Sequence, residues 1–188
     1  STPSVFVTHL GFGSGRSDLC IDLMSPYHHF VEVIESNGTY SAEGATEIGV
    51  CSSSQLLDAL SNVKQNLASE RILRRESESS SYSLCRIAIQ SSGSNEQRGL
   101  FYLVQCPSGD EVCSGCEPTE RNKNCGANNP LARMMEVIQA NKKTRFSQKG
   151  PVSNNLMSCN LTKLLGQSIT STRKQPSSVC LVGAVSPA

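Results

Sequence analysis

The residues best suited to chemistry are cysteines. Four of them, Cys106, Cys113, Cys116 and Cys125, fall in the stretch QCPSGDEVCSGCEPTERNKNC at positions 105 to 125. Closely spaced thiolates bind zinc, run thiol–disulfide exchange, or pair as structural disulfides. A zinc site asks for two close pairs, as in C-x2-C … C-x2-C. Only Cys113 and Cys116 form such a pair; six residues separate Cys106 from Cys113, eight separate Cys116 from Cys125, and no histidine is near. A redox C-x-x-C normally opens a helix after a strand, whereas Ser-Gly between these cysteines and Glu-Pro after them favour a loop. Disulfides are therefore the expected chemistry, and no metal or other cofactor is expected.

Candidates for catalysis are sparse. His9, His28 and His29 are the available general bases. His28 and His29 are neighbours in an expected strand, so they point to opposite faces and chelate poorly. A Ser-His-Asp set can be written from Ser14, His28 or His29 and Asp18, yet no nucleophile elbow surrounds any serine. The glycines of GFGSGRSD follow a strand, which invites a phosphate loop. Gly11, Gly13 and Gly15 alternate, however, Arg16 stands where the third glycine of G-x-G-x-x-G belongs, and no Walker lysine follows. A flexible turn is the expectation, and no catalytic residue is assigned.

Two sequons bear on compartment: Asn37-Gly38-Thr39 and Asn160-Leu161-Thr162, with Asn37 and Asn160 as the acceptors. Nine cysteines in 188 residues and a start at Ser-Thr-Pro-Ser point the same way. The expectation is a secreted or ectodomain glycoprotein whose signal peptide has been removed. Cys20, Cys51, Cys85, Cys106, Cys113, Cys116, Cys125, Cys159 and Cys180 all enter its disulfide framework, and because nine is odd one is left free or used between chains. Cys159 and Cys180 have no other cysteine near them and are expected to pair. Cys85, on the apolar face of an expected strand, suits burial; Cys20, after the glycine loop, suits a link to a second chain. A net charge of +1 recommends neither nucleic acid nor an anionic membrane as partner. No apolar run approaches the ~18 residues of a membrane span.

The elements that position these residues follow from periodicity. SVFVTHL at 4–10 reads as a strand, and HHFVEVIESNG at 28–38 as a strand stopped by the hairpin dipeptide Asn37-Gly38. Leu56, Leu60, Val63 and Leu67 repeat at helical spacing over 55–75, with Leu57 widening the stripe and Ser54 as N-cap. Arg71, Arg74 and Arg75 close that helix, where its dipole favours cations. A processing site before the polar ESESSSYS loop is the functional alternative for these arginines. LCRIAIQ at 84–90 and LFYLVQ at 100–105 make an antiparallel hairpin, the second strand the more fully apolar. Asn129-Pro130 starts a helix lined by Leu131, Met134, Met135 and Ile138. A short helix follows around Leu161, Leu164 and Leu165, and SVCLVGAV at 178–185 reads as a last strand.

This order predicts a single α+β domain over residues 1–188. Its antiparallel sheet carries two or three helices packed on one face, is stapled by disulfides, and takes a ferredoxin-like β-α-β-β-α-β order as first topology. LFYLVQC … CSGC, preceded by an LLDAL helix, resembles the ginkbilobin-like domain of plant cysteine-rich secreted proteins and receptor kinases. The resemblance covers the middle third of the chain and implies an α+β disulfide domain linked with mannose binding and antifungal action. That family keeps eight residues where six stand between Cys106 and Cys113, and Cys85 is additional. The functional expectation is a non-enzymatic extracellular domain for recognition or for assembly into a multi-subunit complex, with a protein partner or a second copy as its target. A small carbohydrate-binding or defence protein and a secreted hydrolase are the alternatives.

Overall fold

The computed structural model describes residues 4–12, 19–27, 29–74, 82–90, 98–106, 134–135, 138–139, 159–169 and 180. In chain order the elements are β1 (Ser4–Phe12), β2 (Ile21–Asp22), β3 (Glu32–Ser36), β4 (Thr39–Glu43), β5 (Ile48–Val50), α1 (Ser53–Arg74), β6 (Tyr82–Gln90), β7 (Arg98–Gln105) and α2 (Asn160–Ile169). Met134, Met135, Ile138 and Gln139 are also helical, inside the helix expected after Asn129-Pro130. The fold is α+β on an antiparallel sheet.

β1 is the central strand. β6 pairs with it over its whole length, from Ser4 opposite Gln90 to Phe12 opposite Tyr82. On the other side, two short strands share its edge: β5 against Val5 to Val7 and β2 against Leu10 and Gly11. β7 pairs with β6 from Arg98–Gln90 to Gln105–Ser83, so the expected hairpin is formed. β3 and β4 make a separate hairpin whose turn is Asn37-Gly38, with φ of 53° and 75°. Two successive residues at positive φ match the right-handed twist of the flanking strands, which is why Asn-Gly serves there.

The order differs from the ferredoxin-like expectation. β5 and β6 are both antiparallel to β1 and so run parallel to each other, with α1 crossing between them. The strand inserted into this split β-α-β unit is β1, from the start of the chain. β7, which follows the unit in sequence, lies outside it.

The helices also take different positions from those expected. On β1 and β6, Val7, Cys85 and Ile87 face one way and pack with Ala59 and Val63 of α1, against Leu23 and Val50. Leu10, Phe12, Tyr82 and Leu84 face the other way and pack with Leu161 and Leu165 of α2, Met134 and Val31. The sheet is therefore covered on both faces, not on one. The reason lies in β1: its apolar residues occur at both parities of the strand, so neither face can be left to water.

α1 starts earlier than its stripe suggests. The Gln55 N–H donates to Ser52 Oγ at 3.2 Å, and the Cys51 N–H donates to Gln55 Oε1 at 2.7 Å. Ser52 Oγ thus caps the third helical N–H while the Gln55 side chain reaches back one residue beyond the cap, to Cys51, so Ser52 and not Ser54 is the cap. Leu57, expected to widen the buried stripe, is exposed; Ala59 takes that place.

Candidate functional site

The sequence-expected residues scatter over the fold. Gly11 belongs to β1 itself: a Cβ there would meet the Leu23 side chain at 3.2 Å, so this glycine admits close packing and cradles no ligand. Ser14, Asp18 and His28, with Gly13, Gly15 and Arg16, lie outside the described residues. Arg71 and Arg74 fall in the last turn of α1, and Arg75 lies outside. Asn37 sits exposed at the tip of the β3–β4 turn, whereas Asn160 is buried at the first position of α2.

No disulfide joins the six described cysteines to one another. Cys113, Cys116 and Cys125 lie outside the described residues. Cys159 does not pair with Cys180. It is sealed beneath α2, its Sγ 3.1 Å from Thr162 Oγ1 and its carbonyl accepting from the Thr162 hydroxyl and the Lys163 N–H, while Cys180 is exposed. Cys20, expected as the likelier interchain link, is 1% exposed. Burial, reinforced by the Asp22 carboxylate, pushes its thiol up to about 12. Cys85 is buried as expected, and burial raises its thiol too.

The two described histidines are held by structure. His9, in β1, has both ring nitrogens shut away from water without a hydrogen-bond partner, and burial lowers its pKa to about 4. His29 is exposed and lies beside Asp22, with Nε2 at 3.6 Å from Oδ2 and 3.4 Å from the Gly44 carbonyl. Asp22 is a residue the sequence reading passed over. It is fully buried, and both carboxylate oxygens accept backbone N–H groups: Met24 to Oδ1 at 2.9 Å and Thr46 to Oδ2 at 2.8 Å. It pins the loop after β2 to the segment before β5. The only signal was an Asp inside the apolar run CIDLM, which a buried carboxylate with backbone partners explains.

The feature with the character of a site is apolar surface at the sheet edge. β7 ends the strand path β2-β1-β6-β7. Phe101 and Leu103 lie opposite Ile87 and Cys85, on the α1 face, yet are 58% and 61% exposed. Ile89, 45% exposed, extends this strip across β6. α1 packs against β5 and β1 and leaves the strip uncovered. On the opposite face Tyr102 and Val104 are partly covered by the α2-side core, while Leu100 is 42% exposed. Such a surface can bind a protein by burial of apolar area.

No protein-family model matches the chain, and no curated protein matches it. Among solved structures it is similar to a fast kinesin, at a TM-score of 0.69 and 21% identity, over 88% of this chain and 46% of that one. The likeness is one of fold. The chain spans less than half the length of the kinesin structure it matches.

Proposed function

We propose that this chain is a non-catalytic binding and assembly module built on part of a kinesin-type fold, and that the protein polymer it engages is the microtubule. The observation that carries the reading is the likeness over 88% of the chain to a fast kinesin, a protein described by its ATPase mechanism and its interactions with microtubules. The uncovered strip of Ile89, Phe101 and Leu103 supports a role in assembly, since exposed contiguous apolar surface marks protein contacts. The commitment of His9 to the interior and of Asp22 to backbone N–H groups supports a non-enzymatic reading. Co-sedimentation tests it: the chain is expected to pellet with stabilised microtubules in a saturable, salt-dependent manner, without turning over ATP. Failure to pellet at micromolar polymer refutes the binding role, and microtubule-stimulated hydrolysis refutes the non-enzymatic one.

A second reading, the extracellular glycoprotein used for recognition, is favoured by the exposed Asn37-Gly38-Thr39 sequon at a hairpin tip. Material isolated from its natural source and digested with a glycosidase distinguishes the two. A mass shift confined to Asn37 supports this reading, and an unmodified Asn37 removes it.

A further inference from the structure

We infer that Asp22, His29 and the backbone carbonyl of Gly44 form a site for one zinc ion, which clasps both ends of the β3–β4 hairpin to the main sheet. The inference rests on local geometry and does not depend on the microtubule reading.

The three donors come from separate stretches of chain. Asp22 ends β2 in the main sheet, His29 stands three residues before β3, and Gly44 directly follows β4. His29 Nε2 lies 3.6 Å from Asp22 Oδ2 and 3.4 Å from the Gly44 carbonyl oxygen. Hydrogen bonds from N–H to oxygen centre near ~2.9–3.0 Å, so neither contact is a good one, and one N–H serves two oxygens poorly. As metal ligands the same atoms fit. Zinc holds nitrogen and oxygen donors at about 2.0–2.2 Å, which separates any two corners of its tetrahedron by about 3.3–3.6 Å. Magnesium, octahedral at about 2.0–2.1 Å, needs neighbouring donors about 2.9 Å apart. Calcium takes oxygen ligands, where His29 offers nitrogen.

The surroundings suit a cation. Asp22 is fully buried and its carboxylate is already oriented, Oδ1 accepting the Met24 N–H and Oδ2 the Thr46 N–H. A carboxylate oxygen has two acceptor positions, so Oδ2 keeps one for a metal. Backbone N–H groups that hold a ligand in this way fix a metal site before the ion arrives. Glu32 and Glu43 are a separate pointer to a cation. They lie directly opposite each other in the hairpin register, at the end that joins the sheet, and both are exposed. Like charges so placed disfavour the pairing, and a cation beside Gly44 offsets them. His29 and Gly44 are exposed, so the ion has a way in and a side open to water for its fourth ligand. No spacing of side chains announces this site, because one of its ligands is a main-chain carbonyl.

Thiols also bind zinc, so Cys51, Cys180 and any other thiol open to reagent are first alkylated on the folded 188-residue chain. Zinc is then titrated by calorimetry near neutral pH, beside calcium and magnesium, and amide exchange is followed by mass spectrometry. One equivalent of zinc is expected to bind. At about ten times the dissociation constant it is expected to slow exchange about tenfold in peptides from Asp22 to Val31 and from Glu43 to Thr46, and to leave β6 and β7 unchanged. Calcium and magnesium are expected to do neither. His29→Ala is expected to weaken zinc binding at least about tenfold and to remove the protection. His29 is exposed, so the fold should survive this change, as the far-ultraviolet spectrum would show. His29→Gln, which still donates to the Gly44 carbonyl but ligates zinc poorly, is expected to behave alike and replaces the alanine variant if that one is unstable.

Three results overturn the inference. In the first, zinc binds the natural chain and the His29 variants equally well, because it sits elsewhere. In the second, calcium or magnesium protects the same peptides as well as zinc does, because the acidic end of the hairpin attracts any divalent cation. In the third, millimolar zinc gives neither saturable heat nor protection, and His29 is only a side chain resting on Asp22 and Gly44.

Discussion

His9 makes the stability of this protein dependent on pH in a calculable way. Its imidazole is enclosed with neither nitrogen partnered, so the charged form is penalised by burial alone and its pKa falls from 6.5 to about 4. In the unfolded chain the same group takes a proton near 6.5. Between those values the unfolded state holds a proton that the folded state refuses, so stability falls as pH falls. The full difference, reached below the lower value, is about 3 kcal/mol, at roughly 1.4 kcal/mol for each pH unit between the two. Between about pH 7.5 and about pH 5 the loss is about 2 kcal/mol, a large share of the ~5–15 kcal/mol that stabilises an ordinary domain. Urea unfolding at a series of pH values measures this, and His9→Leu isolates it from other titrating groups. The variant is expected to be at least as stable as the natural chain at neutral pH, because it removes a buried polar group without partners. Its advantage should then grow by about 2 kcal/mol on going down to about pH 5. If the two curves run parallel across that window, His9 is hydrated in the folded state and the burial argument fails.

Asp22→Ala leaves the Met24 and Thr46 N–H groups without their acceptors and is expected to destabilise by about 2–4 kcal/mol in urea unfolding, with Asp22→Asn milder because one oxygen remains. Alkylation of the native chain near neutral pH should label Cys51 and Cys180 within minutes and leave Cys20, Cys85 and Cys159 unmodified until denaturant is added, as peptide mapping would show. Ser52→Ala removes the oxygen that accepts the Gln55 N–H and should cost about 1 kcal/mol, a loss Ser52→Asp restores; an equal loss from Ser54→Ala would put the cap where the stripe alone placed it.

Long periodic segments were legible. The apolar stripe of α1, the alternation of β6, the Asn37-Gly38 turn and the β6–β7 hairpin all follow from residue types and spacing. β2 and β5 were not, because strands of two and three residues show no period and exist here only because β1 offers them an edge. The N-terminus of α1 was misplaced by two residues although the S-x-x-Q signal of Ser52 and Gln55 was present. Asp22 was missed because its partners are backbone groups, one of them 24 residues away, and no pattern of side chains announces them. The kinesin likeness resides in the spatial arrangement of elements at 21% identity, beyond the reach of a motif.

The cysteines show what composition leaves open when burial is unknown. Read by number and spacing they implied staples, and the compartment followed from the staples. In the fold, Cys20 and Cys159 sit in the core on the α2 side and Cys85 in the core on the α1 side, each 3% exposed or less. A free thiol is a small apolar side chain, among the most often buried of all residue types. Two-sided burial explains the demand: a sheet packed on both faces needs small residues where strands and helices approach closely, and it has more such places than a sheet packed on one. The same geometry makes β7 conspicuous, since its faces carry the residues of an interior strand while its outer edge has no described partner. Burial of three thiols and exposure of Phe101 and Leu103 are thus two consequences of one arrangement, a sheet packed by α1 and α2 on its central strands and less completely on β7.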